Sequence, residues 1–331
     1  LAATATALRL QALVPELSTA LGVGLSLRIG IGAGPLYTAI TGGILGRWEA
    51  LLGGAALDQV AGLQAVPSGQ VVLSDAAWRL LGPDCSGEPL VDVGFVVHGA
   101  TPPAPLAPAP APPGADDAHL TPLVPRHLLL RADIHQPHAL AELRSASVLF
   151  AITPQPLGLE ALQRTTAAMQ GAVYGRGGSV LQCLVDDKAD FVLVAAWGIP
   201  GSSYADDAER AMRAAHALAA QLLADDTRVS VGVASGRLFA GLRGNLSRAE
   251  YALIGSVVNL AARLAQAAAG RVFCDAATAQ AVPAIGFEPR PEVRLKGITG
   301  VAVHESLGRR RTDGASTGAM IGRETEHARL L

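Results

Sequence analysis

An internal repeat restricts the possible folds of this chain more than any other feature of its sequence. The segment LRIGIGAGPL at 27–36 matches VSVGVASGRL at 229–238, which lies 202 positions further on. The same offset places ALLGGAALDQVAGL at 50–63 on ALIGSVVNLAARLA at 252–265. A strand, a glycine-rich turn, a helix and a further strand recur in the same order. We therefore expect two copies of one fold within the 331 residues.

The later copy is complete enough for its secondary structure to be predicted. The apolar run SASVLFAIT at 145–153 contains β-branched residues and predicts a buried strand. A helix, a hairpin and a second helix follow, so the predicted order is β-α-β-β-α-β, with helices on one face of an antiparallel sheet. This is a ferredoxin-like α+β fold. The front copy enters that order only at its third strand, so we expect it to be truncated and the chain to be a fragment.

A tract rich in proline and alanine divides the chain between the two copies. The tract TPPAPLAPAPAPPGAD cannot donate a ladder of hydrogen bonds, because proline lacks an N–H group, and it predicts an extended linker. We predict the C-terminal part of a first domain at 1–95, a linker at 96–142 and a second, complete domain at 143–308. A further segment occupies 309–331.

Charge and composition exclude several classes of function. A formal net charge of −2 provides no global positive field for nucleic acid. No run of about 18 uninterrupted apolar residues is present, so we predict no membrane span. The three cysteines are far apart and have neither a zinc spacing nor a disulfide framework. We therefore expect a reducing, cytoplasmic setting.

One polar pair interrupts the apolar helix predicted at 255–264, GSVVNLAARL. Asn259 and Arg263 are four residues apart, so they project from one face of the helix. A buried amide and guanidinium need polar partners, and a network with a neighbouring carboxylate would satisfy them. In the front copy, the offset of 202 places Leu57 and Ala61 at these positions. A structural network would be needed in both copies and a ligand-binding pair in only one, which favours a functional role.

The motifs GVASG, EY and IGSVVNLAARL follow one another within residues 229–278. In this order they resemble the class III nucleotidyl cyclases. Two cyclase homology domains in tandem, joined by a long linker, resemble the soluble adenylyl cyclase subfamily. The segment MIGRETEHARLL at 320–331 is similar to the entry of the AAA-type or STAND ATPase that follows the pair in that subfamily. The resemblance implies conversion of ATP to cyclic AMP and pyrophosphate, in a cleft between two domains that pair within the chain.

The resemblance also implies roles for three polar residues. Asn259 would orient the ribose, and Arg263 would stabilise charge that builds up on phosphoryl oxygens, which suits the forked donors of a guanidinium. Lys296, in the LKG stretch, matches a triphosphate-binding lysine of relatives. On this basis the later copy supplies the Asn/Arg half of an active site.

The positions that would contact the base depart from the pattern of the family. Gln182, Ala252 and the neighbouring Leu253 fall at nucleotide-binding positions, and Ala252 has no side-chain group that can bond to a base. The choice between ATP and GTP is therefore open. The bicarbonate-sensing arginine of animal relatives falls at Val60, which argues against that form of regulation.

Relatives hold two divalent ions, Mg²⁺ or Mn²⁺, with two aspartates of the first domain. In this chain those positions would lie upstream of Leu1, so no metal ligand is expected within it. The equivalent positions of the later copy are Ile152 and Asp186, and one carboxylate does not make a two-ion site. We expect the chain alone to be inactive and to be part of an adenylyl cyclase. The alternative is a catalytically idle cyclase-homology module that binds nucleotide or regulates an attached ATPase.

Overall fold

The computed structural model describes most of the two predicted units and part of their connection. The described residues are 1–63, 67–104, 120–129, 142–154, 158–186, 188, 190–244 and 249–308. The segment 309–331, with its predicted ATPase entry, and much of the predicted linker at 96–142 lie outside the described residues.

The front unit contains a four-stranded sheet and a separate hairpin. Its helices are α1 (Ala2–Leu21), α2 (Ala55–Gly62) and α3 (Asp75–Leu81). Its strands are β1 (Ile29–Ile31), β2 (Tyr37–Gly42), β3 (Trp48–Gly53), β4 (Val71–Leu73), β5 (Cys85–Leu90) and β6 (Gly94–Ala100). The sheet has the order β1-β4-β6-β5, and β2 pairs with β3. A short helix, α4 (Arg126–Leu129), belongs to the described piece of the connection at 120–129.

The back unit is built on an eight-stranded sheet. Its strands are β7 (Glu142–Pro154), β8 (Ser179–Val185), β9 (Asp190–Trp197), β10 (Ser230–Gly244), β11 (Ala249–Ile254), β12 (Val272–Asp275), β13 (Phe287–Pro289) and β14 (Val303–Ser306). Their order is β13-β14-β12-β10-β7-β9-β8, with β11 paired to the far part of β10. The pairing of β10 with β12 is parallel and the others are antiparallel. The predicted mixed α+β fold is confirmed for this unit.

Helices cover both faces of the back sheet. They are α5 (Leu159–Tyr174), α6 (Asp207–Ala224), α7 (Ser256–Ala268) and α8 (Ala276–Ala281). Met169 of α5 and Met212 of α6 belong to the core on one face, and Leu264 of α7 belongs to the core on the other. The prediction of helices on one face was wrong. Strand β7 is buried on both sides, with Val148 in one core and Leu149 in the other, so each face needs a cover.

The glycines of the repeat allow a helix to lie directly on a strand. A Cβ atom on Gly232 would lie 2.2 Å from the carbonyl oxygen of Ala261 and 2.3 Å from the amide nitrogen of Ala265. In the front unit, a Cβ on Gly32 would lie 2.2 Å from the carbonyl oxygen of Ala56. Both units also pair the glycine-bearing strand in parallel with the strand after the helix. The repeated glycines therefore serve helix packing in both units.

The front hairpin β2–β3 docks on α5 and β8 of the back unit. The backbone of Gly42 exchanges two hydrogen bonds with the amide of Gln163, at 2.9 and 2.8 Å. Gln170, fully buried, accepts from the amide N–H of Ile44 at 3.1 Å and donates to the carbonyl of Arg47 at 3.1 Å. These bonds join side-chain amides of α5 to backbone groups of the hairpin turn, so the contact between the units is specific.

Two compositional expectations can be compared with the structure. Among the described residues, no helix is both long and apolar enough to cross a membrane. The three cysteines are free thiols, and burial raises the pKa of Cys183 and of Cys274 well above the usual range. These two thiols are therefore protonated and unreactive packing groups at neutral pH.

Candidate functional site

Helix α7 presents its apolar stripe to the sheet and a polar stripe to the outside. Val257, Ala261 and Leu264 are buried at helical spacing. Gly255 has an extended conformation and joins the end of β11 directly to the start of the helix. With these residues turned to the sheet, Asn259 is exposed and Arg263 is half-buried on the opposite face of the helix, as their spacing of four predicts.

A tight turn brings Lys296 to the same place. The amide N–H of Ile298 donates to the carbonyl of Leu295 at 3.2 Å, and Gly297 has a φ of 75°. A positive φ at the third position is the requirement of a type II turn, which explains the glycine after Lys296. Leu295 is buried in the α7 core and Ile298 packs against it. The two apolar residues anchor the turn, and the exposed Lys296 projects from its tip.

Asn259, Arg263 and Lys296 line one open cavity of about 390 Å³. Its other lining residues are Ala262, Gln266, Gly297 and Ile298. The lining thus contains two cationic side chains, two amides and no carboxylate. Such a set can accept an anion and also hydrogen-bond to neutral hydroxyl groups.

The guanidinium of Arg263 is oriented by an amide. Its Nη1 donates to Oε1 of Gln266 at 2.7 Å, and no carboxylate of the described chain forms an ion pair with it. Within the described ranges, neither Asn259 nor Lys296 has a side-chain hydrogen bond or ion pair. A structural network with a neighbouring carboxylate would explain the pair without a ligand. No such network is present in this part of the chain. Gln266 was not predicted, although its position three residues after Arg263 places it on the same face.

The other predicted nucleotide contacts lie outside this cavity. Gln182 is exposed on β8, just after a bulge, and lies opposite Val194 in the strand pairing. Val194 belongs to the core between α7 and the sheet, the α7-side core. Ala252 is half-buried on β11 opposite Gly241, and Leu253 packs against the α7-side core. The structure brings three of the six predicted site residues together, and the assignments of these other three stay predictions.

The described residues do not fit a two-ion site. They contain no group of three histidine, cysteine, aspartate or glutamate side chains placed to hold a metal. Ile152 packs against the α7-side core. Oδ1 of Asp186 accepts from the amide N–H groups of Lys188 and Asp190 at 2.8 and 3.0 Å, and so closes the hairpin turn. The expectation that the ligands of Mg²⁺ or Mn²⁺ lie outside the chain stays a prediction.

The front helix α2 does not carry the polar pair. Helix α2 begins after Gly54, and α7 begins after Gly255. When the two helices are aligned by their first residues, the offset between them is therefore 201. On that count Asp58 and Gly62 take the positions of the pair, where the sequence offset of 202 places Leu57 and Ala61. By either count, the pair belongs to one unit only.

Comparison with known proteins agrees with the geometry of the back unit. Residues 205–306 match the family model of the adenylate and guanylate cyclase catalytic domain. That region is similar in sequence to such a domain. It contains α7 and the turn of Lys296, so the three residues that share the cavity all fall within the matched region.

Individual relatives match shorter stretches. Human adenylate cyclase type 10 is 36% identical over 120 residues, which are 35% of this chain and 7% of that protein. An uncharacterized protein of Mycobacterium tuberculosis is 40% identical over 97 residues, 27% of this chain and 18% of that protein. The crystal structure of the adenylyl cyclase CyaB from P. aeruginosa matches with a TM-score of 0.46 and 22% identity, over 53% of this chain and 99% of that one. The chain thus spans a small part of the curated relatives that it matches.

Proposed function

We propose that the back unit supplies the nucleotide-binding half of a nucleotidyl cyclase active site. The observation that carries the proposal is the single open cavity on which Asn259, Arg263 and Lys296 meet without an acidic neighbour. Arg263 and Lys296 bind the triphosphate, and Asn259 orients the ribose. The family match of the region and its cyclase relatives support this reading.

The chemistry of cyclisation suits these side chains. The ribose 3′ hydroxyl loses its proton to solvent and its oxygen forms a bond to the α-phosphorus while the bond to pyrophosphate breaks, so negative charge shifts onto phosphoryl oxygens. A guanidinium that is already oriented by Gln266 presents forked donors to that charge without reorganisation. The described residues do not fit the two ions that the family uses.

We propose ATP as the substrate and cyclic AMP as the product, because adenylate cyclase type 10 proteins are among the matched relatives. Ala252 weakens the argument for base choice, since a methyl group cannot distinguish purines by hydrogen bonding. Both nucleotides therefore belong in the test.

The complete enzyme, as proposed, pairs two cyclase homology domains within one chain. The front hairpin supports this, because its backbone bonds to Gln163 and Gln170 on α5 of the back unit. The ATPase that would follow the pair is proposed from residues outside the described part. A cytoplasmic location is proposed on cysteine usage alone.

A second function is a catalytically idle module that binds nucleotide or regulates an attached ATPase. Ala252 and Gln182 favour it, because both depart from the pattern of the family at positions that would contact the base. Both functions are compatible with nucleotide binding, and only the first predicts turnover.

Two measurements separate these functions. The first is titration of the 331-residue chain with a fluorescent, non-hydrolysable nucleoside triphosphate, with the monophosphate as control. The second is production of cyclic AMP and cyclic GMP from ATP and GTP by the longer natural protein, with Mg²⁺ or Mn²⁺. We expect the chain to bind triphosphate without turnover and the longer protein to produce cyclic AMP. Binding without turnover in the longer protein would support the idle module, and absence of binding would refute the first function.

A further inference from the structure

His127 is a buried polar residue in the connection between the units. Its side chain is 1% exposed, although it lies on the four-residue helix α4. Neither ring nitrogen has a hydrogen-bond partner among the described residues. Buried polar groups without partners are rare in proteins, because water bonds are lost and not replaced. The residue therefore needs an explanation beyond packing.

An aromatic ring of the back sheet contacts His127. The ring centroids of His127 and Tyr251 are 4.6 Å apart, and the ring planes are tilted by 54°. Helix α4 also packs against β8. The segment 120–129 thus lies against β11 and β8, the two strands that carry Ala252 and Gln182. Neutral imidazole suits this apolar contact and imidazolium does not, since burial disfavours the charged form.

The other end of the segment is held by the front hairpin. Nη1 of Arg47 donates to the carbonyl of Thr121 at 2.7 Å and to that of Val124 at 3.4 Å. A charge-assisted bond to backbone carbonyls does not depend on pH over the neutral range. The segment 120–129 therefore has one contact that is fixed, at Arg47, and one that depends on the charge of a single imidazole.

We propose that His127 is a proton-released latch, which holds the segment 120–129 against Tyr251 at neutral pH and frees it from β8 and β11 in mild acid. The proposal goes beyond cyclase activity and does not require it. Release leaves the Arg47 tether in place, so the segment swings away from the back sheet without leaving the front hairpin.

Among the described residues, no charged group shifts the pKa of His127. The described charged groups on the surrounding elements are Arg126 on α4, Arg47 just before β3, Glu49 on β3, Glu250 and Arg243 of the β10–β11 hairpin, and Asp186, Lys188 and Asp190 at the turn between β8 and β9. Burial is the cause that lowers the pKa of His127, to about 4. A carboxylate against the ring would raise that pKa, and no such effect is present.

The direction of the pH effect follows from linkage. A histidine whose pKa is lowered in the closed state takes up a proton when the segment opens. Opening therefore becomes easier as the pH falls below the ordinary pKa of histidine, near 6.5. With a closed-state pKa of about 4, the ratio of open to closed segment rises about 30-fold between pH 7.5 and pH 5.

Amide hydrogen exchange of the segment 120–129 tests the latch, with rates corrected for the intrinsic effect of pH. We expect the opening of wild-type protein to increase about 30-fold from pH 7.5 to 5, as linkage requires, and that of His127→Phe to change less than about twofold. His127→Gln is a second uncharged variant in case the first disturbs folding, and it should also lack the response. His216→Gln is the matched control, because His216 is a half-buried imidazole whose pKa is also lowered by burial, away from this segment; it should keep the response.

A response that persists in both His127 variants, or a wild-type segment whose opening is independent of pH, would overturn the proposal. Because the readout involves no nucleotide, failure of the latch can be told apart from failure of the proposed function.

Discussion

Nη1 of Arg263 lies 2.7 Å from Oε1 of Gln266, one turn further along α7. The neutral amide orients the guanidinium without neutralising its positive charge. A carboxylate in the same place would neutralise that charge. Lys296 adds a second positive charge to the same cavity from a different element. A phosphate-bearing ligand therefore finds the charge in place and does not have to displace an ion pair.

Replacement of Arg263 by alanine should weaken triphosphate binding by about 10- to 100-fold, the usual worth of hydrogen bonds to a charged group. In the proposed complete enzyme, turnover should fall by about a hundredfold or more, because the lost donor acts on charge that develops during the reaction. Binding is measured on the 331-residue chain, and turnover as cyclic nucleotide formed.

Arg213→Ala provides the matched control. Arg213 lies on α6, on the other face of the sheet, where it pairs with Glu209 at 2.5 Å. Its loss removes one positive charge from the chain and should leave triphosphate binding within about twofold, since exposed ion pairs contribute little. Equal losses in the two variants would mean that net charge and not the cavity governs binding, and would contradict the assignment of Arg263.

Gly232→Ala should destabilise the back unit by about 1–3 kcal/mol or more, the range for overpacking. The new Cβ would lie 2.2 Å from the carbonyl oxygen of Ala261 and 2.3 Å from the amide nitrogen of Ala265. Both are backbone atoms, so α7 must shift as a whole, and Asn259 and Arg263 shift with it. Urea unfolding measures the stability, and triphosphate titration measures the effect on the cavity.

Gly171→Ala is the counterpart with the opposite sign. Gly171 lies inside α5, and nothing lies within 4 Å of a Cβ built on it. Alanine should stabilise the helix by up to about 1 kcal/mol, because it limits the unfolded chain and favours the helix. If both substitutions destabilise by the same amount, the close approach of α7 to β10 is not what Gly232 provides.

The sequence correctly predicted the α+β character of the back unit and the shared face of Asn259 and Arg263. These depend on local spacing and on period, which a single sequence contains. The sequence did not predict that α7 would cover the second face of the back sheet. That result depends on β7, where Val148 and Leu149 are both fully buried and the apolar run does not alternate.

The docking of the front hairpin also could not be predicted. Gln163 and Gln170 look like ordinary polar positions of a helix, and their partners are backbone groups more than 120 positions away. No local pattern identifies which hairpin a glutamine will bond to. The same holds for His127, whose burial depends on Tyr251. Contacts between distant segments are thus the part of the structure that requires coordinates.

Glu49 should make the stability of the docked hairpin depend on pH. Its carboxyl accepts from Nε2 of Gln170 at 3.0 Å, and burial raises its pKa above the ordinary value of 4.5, an effect that the bond from Gln170 only partly offsets. A carboxyl with a raised pKa favours folding when it is protonated, and this stabilisation is lost as the pH rises through the folded-state pKa.

Glu49→Gln keeps the acceptor for Gln170 and removes the buried charge. The variant should therefore be more stable than wild type at pH 7, with a difference that shrinks as the pH falls through the raised folded-state pKa of Glu49 and no longer changes below about 4.5, where Glu49 is neutral in both the folded and the unfolded state. Thermal unfolding at a series of pH values measures this difference. Glu16→Gln, at an exposed position of α1, should show no such trend. A difference for Glu49→Gln that is constant with pH would mean that the charge of Glu49 is well solvated in the folded protein and that the hairpin does not bury it.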